Sequence, residues 1–410
     1  MKDLMTRRRF CAMALAAPAV AIGEARDADV ALNKSKRIEQ VENGLMQIQD
    51  GKLAKVNMGL PARMKHYHVP GFSVAVIDDY KIAWTKCYGV LEEGRPEQVA
   101  AETLFAAGSI SKPVSAAAAL ALVEKGHLKL DEDVNAKLRS WKVPENEFTK
   151  SEKVTLRRLL SHSAGLNEGG APSFATGEEA FTAVQTLDAV PPMNSGSPYR
   201  QAEPVRVQAV PGSRFLYSPG GYAIVTILME DVEKKPFETI LRDTVFKHLG
   251  MKSSTFEQPL PNHLLERATN EHRDGQPLEG KRRYFPGLAA GGLWTTPADL
   301  AQFTLEIMLC WSGRSHKILS SASVKEMLTC QVGHCEKGGQ ALGFWIQGQG
   351  NRFIFAHKGG TYGSACQLVA FPALGQGAVV MANDRPGGEK LVPETLFAIG
   401  TVYGWPFDLA

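Results

Sequence analysis

The chain has 410 residues, 44% of them apolar and 22% charged, with a formal net charge of +3. That length and apolar content suit one large globular domain or two ordinary ones and exclude a disordered or fibrous chain. The near balance of charge gives no reason to expect nucleic acid or an anionic lipid surface as partner.

Residues 1–25 hold Arg7-Arg8-Arg9-Phe10, the apolar run Ala12 to Ile22 and small residues ending at Ala25. This predicts a secretory signal over 1–25, and Thr6-Arg7-Arg8-Arg9-Phe10 is similar to the twin-arginine export motif. The run is too short to span a bilayer, and no other stretch approaches that length, so a periplasmic or secreted protein without a membrane span is expected. Of the cysteines, Cys11 falls in that segment, and five remain, which cannot all pair. Cys330 and Cys335 are close enough in sequence for a small loop disulfide.

Ile38, Val41, Leu45 and Ile48 recur at helical spacing and predict an amphipathic helix over 36–49. The apolar runs Phe72 to Ile77 and Ile82 to Val90 flank a short polar turn at Asp78-Asp79-Tyr80 and predict a β-hairpin. Ser109-Ile110-Ser111-Lys112 then opens the alanine-rich run Pro113 to Lys125, which reads as one buried helix closed by Gly126. Residues three apart on a helix share a face, so Ser109 and Lys112 can meet. A hydroxyl beside an amine is an activated nucleophile with its own base, and a helix N-terminus favours negative charge developing on the attacking oxygen. Chance also writes a short Ser-x-x-Lys, so its meaning depends on what else the chain supplies.

Further on, Val154 to Leu160 reads as a helix and 167–213 as long loops of the kind that line sites. Tyr217 stands in a tight turn before a helix over Ala223 to Val232, and a further helix runs from Phe237 to Leu249. Thr296 is placed to cap a helix over Pro297 to Leu309. The last seventy or so residues change to short β-type runs, Ala341 to Gln347, Phe353 to His357, Cys366 to Phe371 and Gly377 to Met381, before a helix over Leu391 to Val402. The expected fold is α+β: an antiparallel sheet flanked by helices and built from both termini, over 26–130 and 290–410, with a mostly helical domain inserted over 131–289.

Three motifs follow one another: Ser109-x-x-Lys112, Tyr217-Ser218-Pro219 and His357-Lys358-Gly359. Together with Leu159-Leu160-Ser161-His162-Ser163-Ala164-Gly165-Leu166 and Gly291-Gly292-Leu293-Trp294-Thr295-Thr296-Pro297, they resemble the serine β-lactamase and penicillin-binding-protein family. The resemblance is to its class-C-like branch, which also holds D-stereospecific peptidases and family VIII carboxylesterases. It implies that Lys112 and Tyr217 activate Ser109 for acylation and that Tyr217 then activates the deacylating water. It also implies that His357 bridges tyrosine and substrate, that Gly359 lets substrate approach the strand, and that the N–H groups of Ser109 and Gly360 form an oxyanion hole. Lysine and tyrosine ordinarily titrate near 10, so the surroundings must lower such a value before either is a base at neutral pH.

Two residues depart from the family pattern. Pro219 stands where its β-lactamases and peptidases carry an asparagine, and Lys358 where a small hydroxyl residue meets the substrate carboxylate. Proline offers no side-chain hydrogen bond. The resemblance therefore implies an exported serine hydrolase that forms an acyl-enzyme on Ser109 and acts first on carboxylic esters, with a D-amino-acid peptidase or weak β-lactamase as the alternative. A penicillin-sensor-like protein that is acylated once is the non-enzymatic alternative. No metal or organic cofactor is implied, and the partner is a small ester, amide or β-lactam.

Overall fold

Successive side chains of a strand point to opposite faces, so near-continuous apolar runs give a sheet with two buried faces. In the computed structural model, which describes residues 32–49, 52–170, 172–176, 178, 181–190, 203–334 and 336–406, they form an eight-stranded antiparallel sheet. Its strands are β1 (Gly71–Asp78), β2 (Lys81–Gly89), β3 (Val332–His334), β4 (Gly338–Gln340), β5 (Trp345–Gln347), β6 (Ile354–Gly360), β7 (Ala365–Phe371) and β8 (Gln376–Ala382). The spatial order is β3-β4-β5-β6-β7-β8-β1-β2, so the early hairpin joins the late strands through the β8–β1 pair, as expected. The β1–β2 turn holds Asp79 and Tyr80 at φ of 50° and 55°, the left-handed geometry that matches strand twist in tight hairpins. The expected signal segment lies outside the described residues.

Val74, Val76, Ala356, Val369, Phe371, Ala378 and Val380 face one core, and Ala75, Ile77, Phe355, Leu368, Ala370, Val379 and Met381 face the other. The first core is closed by the helix α1 (32–42) and by the last helix, α5 (Arg385–Tyr403), through Leu391, Leu396 and Ile399. The second is closed by α2 (Ser111–Glu124), α3 (Pro219–Glu233) and α4 (Pro297–Trp311). Thr296 caps α4 as expected, accepting the Asp299 N–H.

The expected first helix is shorter than its periodicity. It stops at 42, before Asn43-Gly44, and Met46–Gln49 pairs with Lys52–Lys55 as a hairpin. Leu45 is buried, but Ile48 is 57% exposed. Asparagine and glycine favour turns, and that local preference outweighs one further apolar position. The last helix is longer than expected. Asp384 accepts the Gly387 N–H as N-cap, Pro386 occupies the first turn, and the helix continues past Pro393. Those prolines and Gly387-Gly388 read as breakers in the sequence. Cys330 is disulfide-bonded, while Cys335 lies outside the described residues.

Candidate active site

A tight turn, Gly108–Ile110, runs directly into α2 and carries Ser109 at the helix entrance. The turn is wedged against β6: a side-chain carbon on Gly108, whose φ is +49°, would stand 2.3 Å from the Gly360 carbonyl oxygen. Behind it α2 is lined by Ala116, Ala117, Ala118 and Ala119, all at most 1% exposed. Small side chains let neighbouring elements close over the helix, and Lys112 beside them is only 1% exposed.

Lys112 Nζ donates to Ser109 Oγ at 2.9 Å and to the Ala290 carbonyl at 2.6 Å. The Tyr217 hydroxyl is hydrogen-bonded to Ser109 Oγ, also at 2.9 Å. Lys112 Nζ lies 5.2 Å from the centroid of the Tyr217 ring and 5.6 Å from that of Tyr222. Lys112, one helical turn on, and Tyr217, from far along the chain, thus converge on one hydroxyl oxygen. Tyr217 is delivered by the turn before α3, where Ser218 is the N-cap and accepts the Gly221 N–H while donating to the Asn167 carbonyl. Pro219 takes the first helical position, which suits proline. Ser111, the other serine of the motif, donates to the Gly108 carbonyl and accepts the Leu293 N–H.

Burial raises the Tyr217 pKa, but the Lys112 charge and the hydrogen bonds from Lys112 and Ser109 outweigh it, and the net shift is downward from 10. Burial and Lys112 push His357 down to about 3, against a smaller upward pull from its bond to the Lys358 carbonyl. His357 is therefore neutral across the physiological range. Its Nδ1 pairs with that carbonyl at 2.6 Å, and it makes no hydrogen bond to Ser109, Lys112 or Tyr217. It faces the trio from β6 without joining it.

Gly359 serves a purpose that the sequence reading missed. A side-chain carbon there would stand 2.1 Å from the Ala107 carbonyl oxygen, 2.5 Å from Cys366 Sγ and 2.9 Å from Ile110. The missing side chain makes room for the nucleophile's own turn. Gly360 is more open, with only the Ser364 carbonyl oxygen near, at 3.0 Å. Cys366 donates to the Ala107 carbonyl, and burial pushes its thiol well up, which removes it as a competing nucleophile.

Ser109, Lys112, Tyr217, Pro219, Lys358, Gly359 and Gly360 all border one cleft of about 550 Å³. Its far rim is the first turn of α5, where Arg385 pairs with Glu389 at 2.9 Å. Among the described residues no group of His, Cys, Asp and Glu stands where a metal could be held. His162, whose stretch the sequence singled out without a role, is also part of the site. It packs on Tyr217 at 4.4 Å between ring centroids.

The family model for beta-lactamase matches residues 59–399. The chain belongs to the beta-lactamase family. It is similar to Protein flp of Staphylococcus aureus strain MW2, 24% identical over 323 residues that cover 77% of this chain and 60% of that one. It is also similar to penicillin-binding protein 4 of Amycolatopsis lactamdurans, 29% identical over 199 residues, 48% of this chain and 47% of that one. The chain thus spans about 60% of the length of the first of these relatives. Among solved structures, the octameric penicillin-binding protein homologue from Pyrococcus abyssi superposes with a TM-score of 0.65 at 22% identity, covering 84% of this chain and 76% of that one. A class C beta-lactamase gives 0.65 at 18% identity, covering 89% and 97%. These likenesses establish the β-lactamase and transpeptidase fold, with the motif residues gathered at its cleft.

Proposed function

We propose that the protein is a serine hydrolase that forms an acyl-enzyme on Ser109 and releases it to water, with carboxylic esters as substrates. The observation that carries this reading is the Ser109 hydroxyl held at 2.9 Å from both Lys112 Nζ and the Tyr217 hydroxyl. Lysine charge beside tyrosine favours the phenolate, which takes the Ser109 proton as Oγ bonds to the ester carbonyl carbon. The carbonyl oxygen becomes an oxyanion held by the Ser109 and Gly360 N–H groups, and such preorganised donors are commonly the largest contribution in acyl transfer. The intermediate collapses by breaking the C–O bond to the alcohol, whose oxygen takes the proton from Tyr217. Water repeats the sequence, losing a proton to Tyr217 as it attacks the acyl carbon, and Ser109 recovers that proton as the acid departs.

Pro219 favours esters over amides. It borders the cleft where the resemblance expects an asparagine amide, so this side offers no side-chain hydrogen bond to a substrate's acylamide group. A D-amino-acid peptidase or weak β-lactamase uses the same trio and is the second reading. The arginine run and apolar stretch of 1–25 support export, which cell fractionation with and without that segment would test.

The discriminating experiment is a time course with p-nitrophenyl butyrate and with a chromogenic cephalosporin. Sustained turnover of the ester alone supports the proposal. Sustained cleavage of the cephalosporin promotes the second reading, and one product per protein followed by a plateau identifies a sensor. A fluorophosphonate should label Ser109, and an adduct mapped to Ser111 or Ser218 would remove the assigned nucleophile.

A further inference from the structure

A second cavity, of about 620 Å³, adjoins the catalytic cleft. Its walls are apolar: Trp345, Ile354, Val369, Phe371, Phe397 and Trp405. It lies between α5 and the sheet face that carries Ala356, Val369 and Phe371. Strand pairing explains why it reaches the catalytic side. Strand β5 pairs with β6 only as far as Trp345 opposite Ala356, which leaves 357–360 without a β5 strand partner. The cavity comes round this open edge to His357 and Tyr217. Tyr217, Lys358, Gln367 and Pro393 line both spaces, whereas Ser109 and Gly360 line only the first.

Resting on the ester reading above, we propose that this cavity binds the alcohol half of the substrate, an ester whose alcohol is large and apolar. Direction of proton transfer decides which half. The proton taken from Ser109 must reach the leaving oxygen, so that oxygen stands beside the Tyr217 hydroxyl, while the carbonyl oxygen faces Gly360. A space that borders Tyr217 but neither Ser109 nor Gly360 is on the leaving side. Its volume falls within the range of small-molecule sites, and a few polar groups at the mouth of an apolar wall are the usual composition of one. Trp345, 38% exposed, forms part of that wall as a large apolar side chain left open to solvent.

Two ester series test this. In the first, acetates of methanol to octanol keep the acyl group fixed; in the second, ethyl esters of acetate to octanoate keep the alcohol fixed. The expected result is a kcat/KM that rises about fourfold per methylene along the alcohol series, the worth of one buried methylene, and stays nearly flat along the acyl series. All acetates share one acyl-enzyme, so kcat should converge across the alcohols wherever deacylation limits. Val369→Trp fills the cavity and Trp345→Ala opens its exposed side. In folded variants, checked by circular dichroism, each should lower the octyl-to-methyl ratio of kcat/KM at least tenfold. An unchanged ratio in both variants, or a preference that follows the acyl chain, overturns the assignment. Failure of the ester reading has a separate signature, no turnover of any ester. The cavity is then judged by octan-1-ol binding to the Ser109→Ala protein, read from tryptophan fluorescence because Trp345 and Trp405 stand in the wall. Saturable binding that Val369→Trp abolishes supports an apolar alcohol as ligand, and absence of saturable binding overturns it.

Discussion

His162 holds both peptide neighbours of Tyr217: its carbonyl accepts the Leu216 N–H at 2.8 Å and its Nδ1 accepts the Ser218 N–H at 3.1 Å. The residue achieves both by adopting φ of 54°, a left-handed conformation in which histidine and asparagine are enriched. Because Nδ1 accepts, the proton of the neutral ring is on Nε2. Burial, then the charge of Lys112, push its pKa well below the ordinary value, so that acceptor survives at working pH. His162 thus positions Tyr217 and has no hydrogen bond of its own to Ser109.

Replacing His162 with alanine should lower kcat about 10²-fold, the cost of a misplaced catalytic group, with a much smaller change in KM. It should also cost ~1–3 kcal/mol of stability, because a buried donor at Ser218 loses its acceptor. His162→Asn restores a side-chain acceptor and tolerates the left-handed backbone, so it should recover part of the rate. Ultraviolet difference titration of the Tyr217 phenolate adds a readout that lost stability alone would not move. The phenol should titrate higher in the alanine variant, and an unmoved titration would remove the positioning role.

The pH dependence of ester hydrolysis should follow Tyr217. Its lowered pKa means that phenolate accumulates as pH rises through a value below 10, so kcat/KM should climb through that value and level off above it. Tyr217→Phe should lose about 10² to 10⁴ in rate across the whole range. His357→Gln should leave the position of the acid limb unmoved, because His357 is already neutral above about pH 3. A limb that shifts with His357 would transfer the base role to it.

The trio was legible in the sequence because short motifs carry it: helical spacing brings Lys112 to Ser109, and the family resemblance places Tyr217 beside them. The strands of the sheet were legible too, since short apolar runs bounded by turn residues mark them in β1, β7 and β8. What escaped was set by long-range contact. Nothing local to Gly359 says that Ala107 and Ile110 will press against it, and nothing local to His162 says that it will straddle Tyr217. The start of α5 was hidden because Pro386, Gly387 and Gly388 are individually poor helix residues, tolerated there by the Asp384 cap and by the close approach of Gly387 to the Tyr67 carbonyl oxygen at 2.1 Å from where a side-chain carbon would be.

Acid should destabilise the fold through His357. Its folded pKa of about 3 lies below the ordinary 6.5, so between those values the unfolded chain binds a proton that the folded chain does not. Its effect is absent above about pH 6.5 and grows as pH falls towards 3. His357→Gln removes that proton uptake, so its melting temperature should fall less steeply than the wild type's from pH 6.5 downward. Scanning calorimetry at several pH values measures this, and parallel curves would show that His357 does not carry the effect.

Gly359 and Gly360 are adjacent on β6 and should respond unequally to alanine. At Gly359 the added carbon meets backbone at 2.1 Å, from Ala107, and Ile110 at 2.9 Å, neither of which can yield without moving Ser109. Overpacking of this kind costs ~1–3 kcal/mol and shifts backbone. Gly359→Ala should therefore lower the melting temperature and kcat together, because the strand and the nucleophile's turn can no longer seat against each other. At Gly360 the tightest contact is 3.0 Å, from the Ser364 carbonyl, and the backbone N–H that would face the oxyanion is retained. Gly360→Ala should cost less stability than its neighbour. Thermal melts and ester kinetics on both variants separate the two explanations for Gly359. If its role were to admit substrate, alanine would raise KM and leave the melting temperature in place.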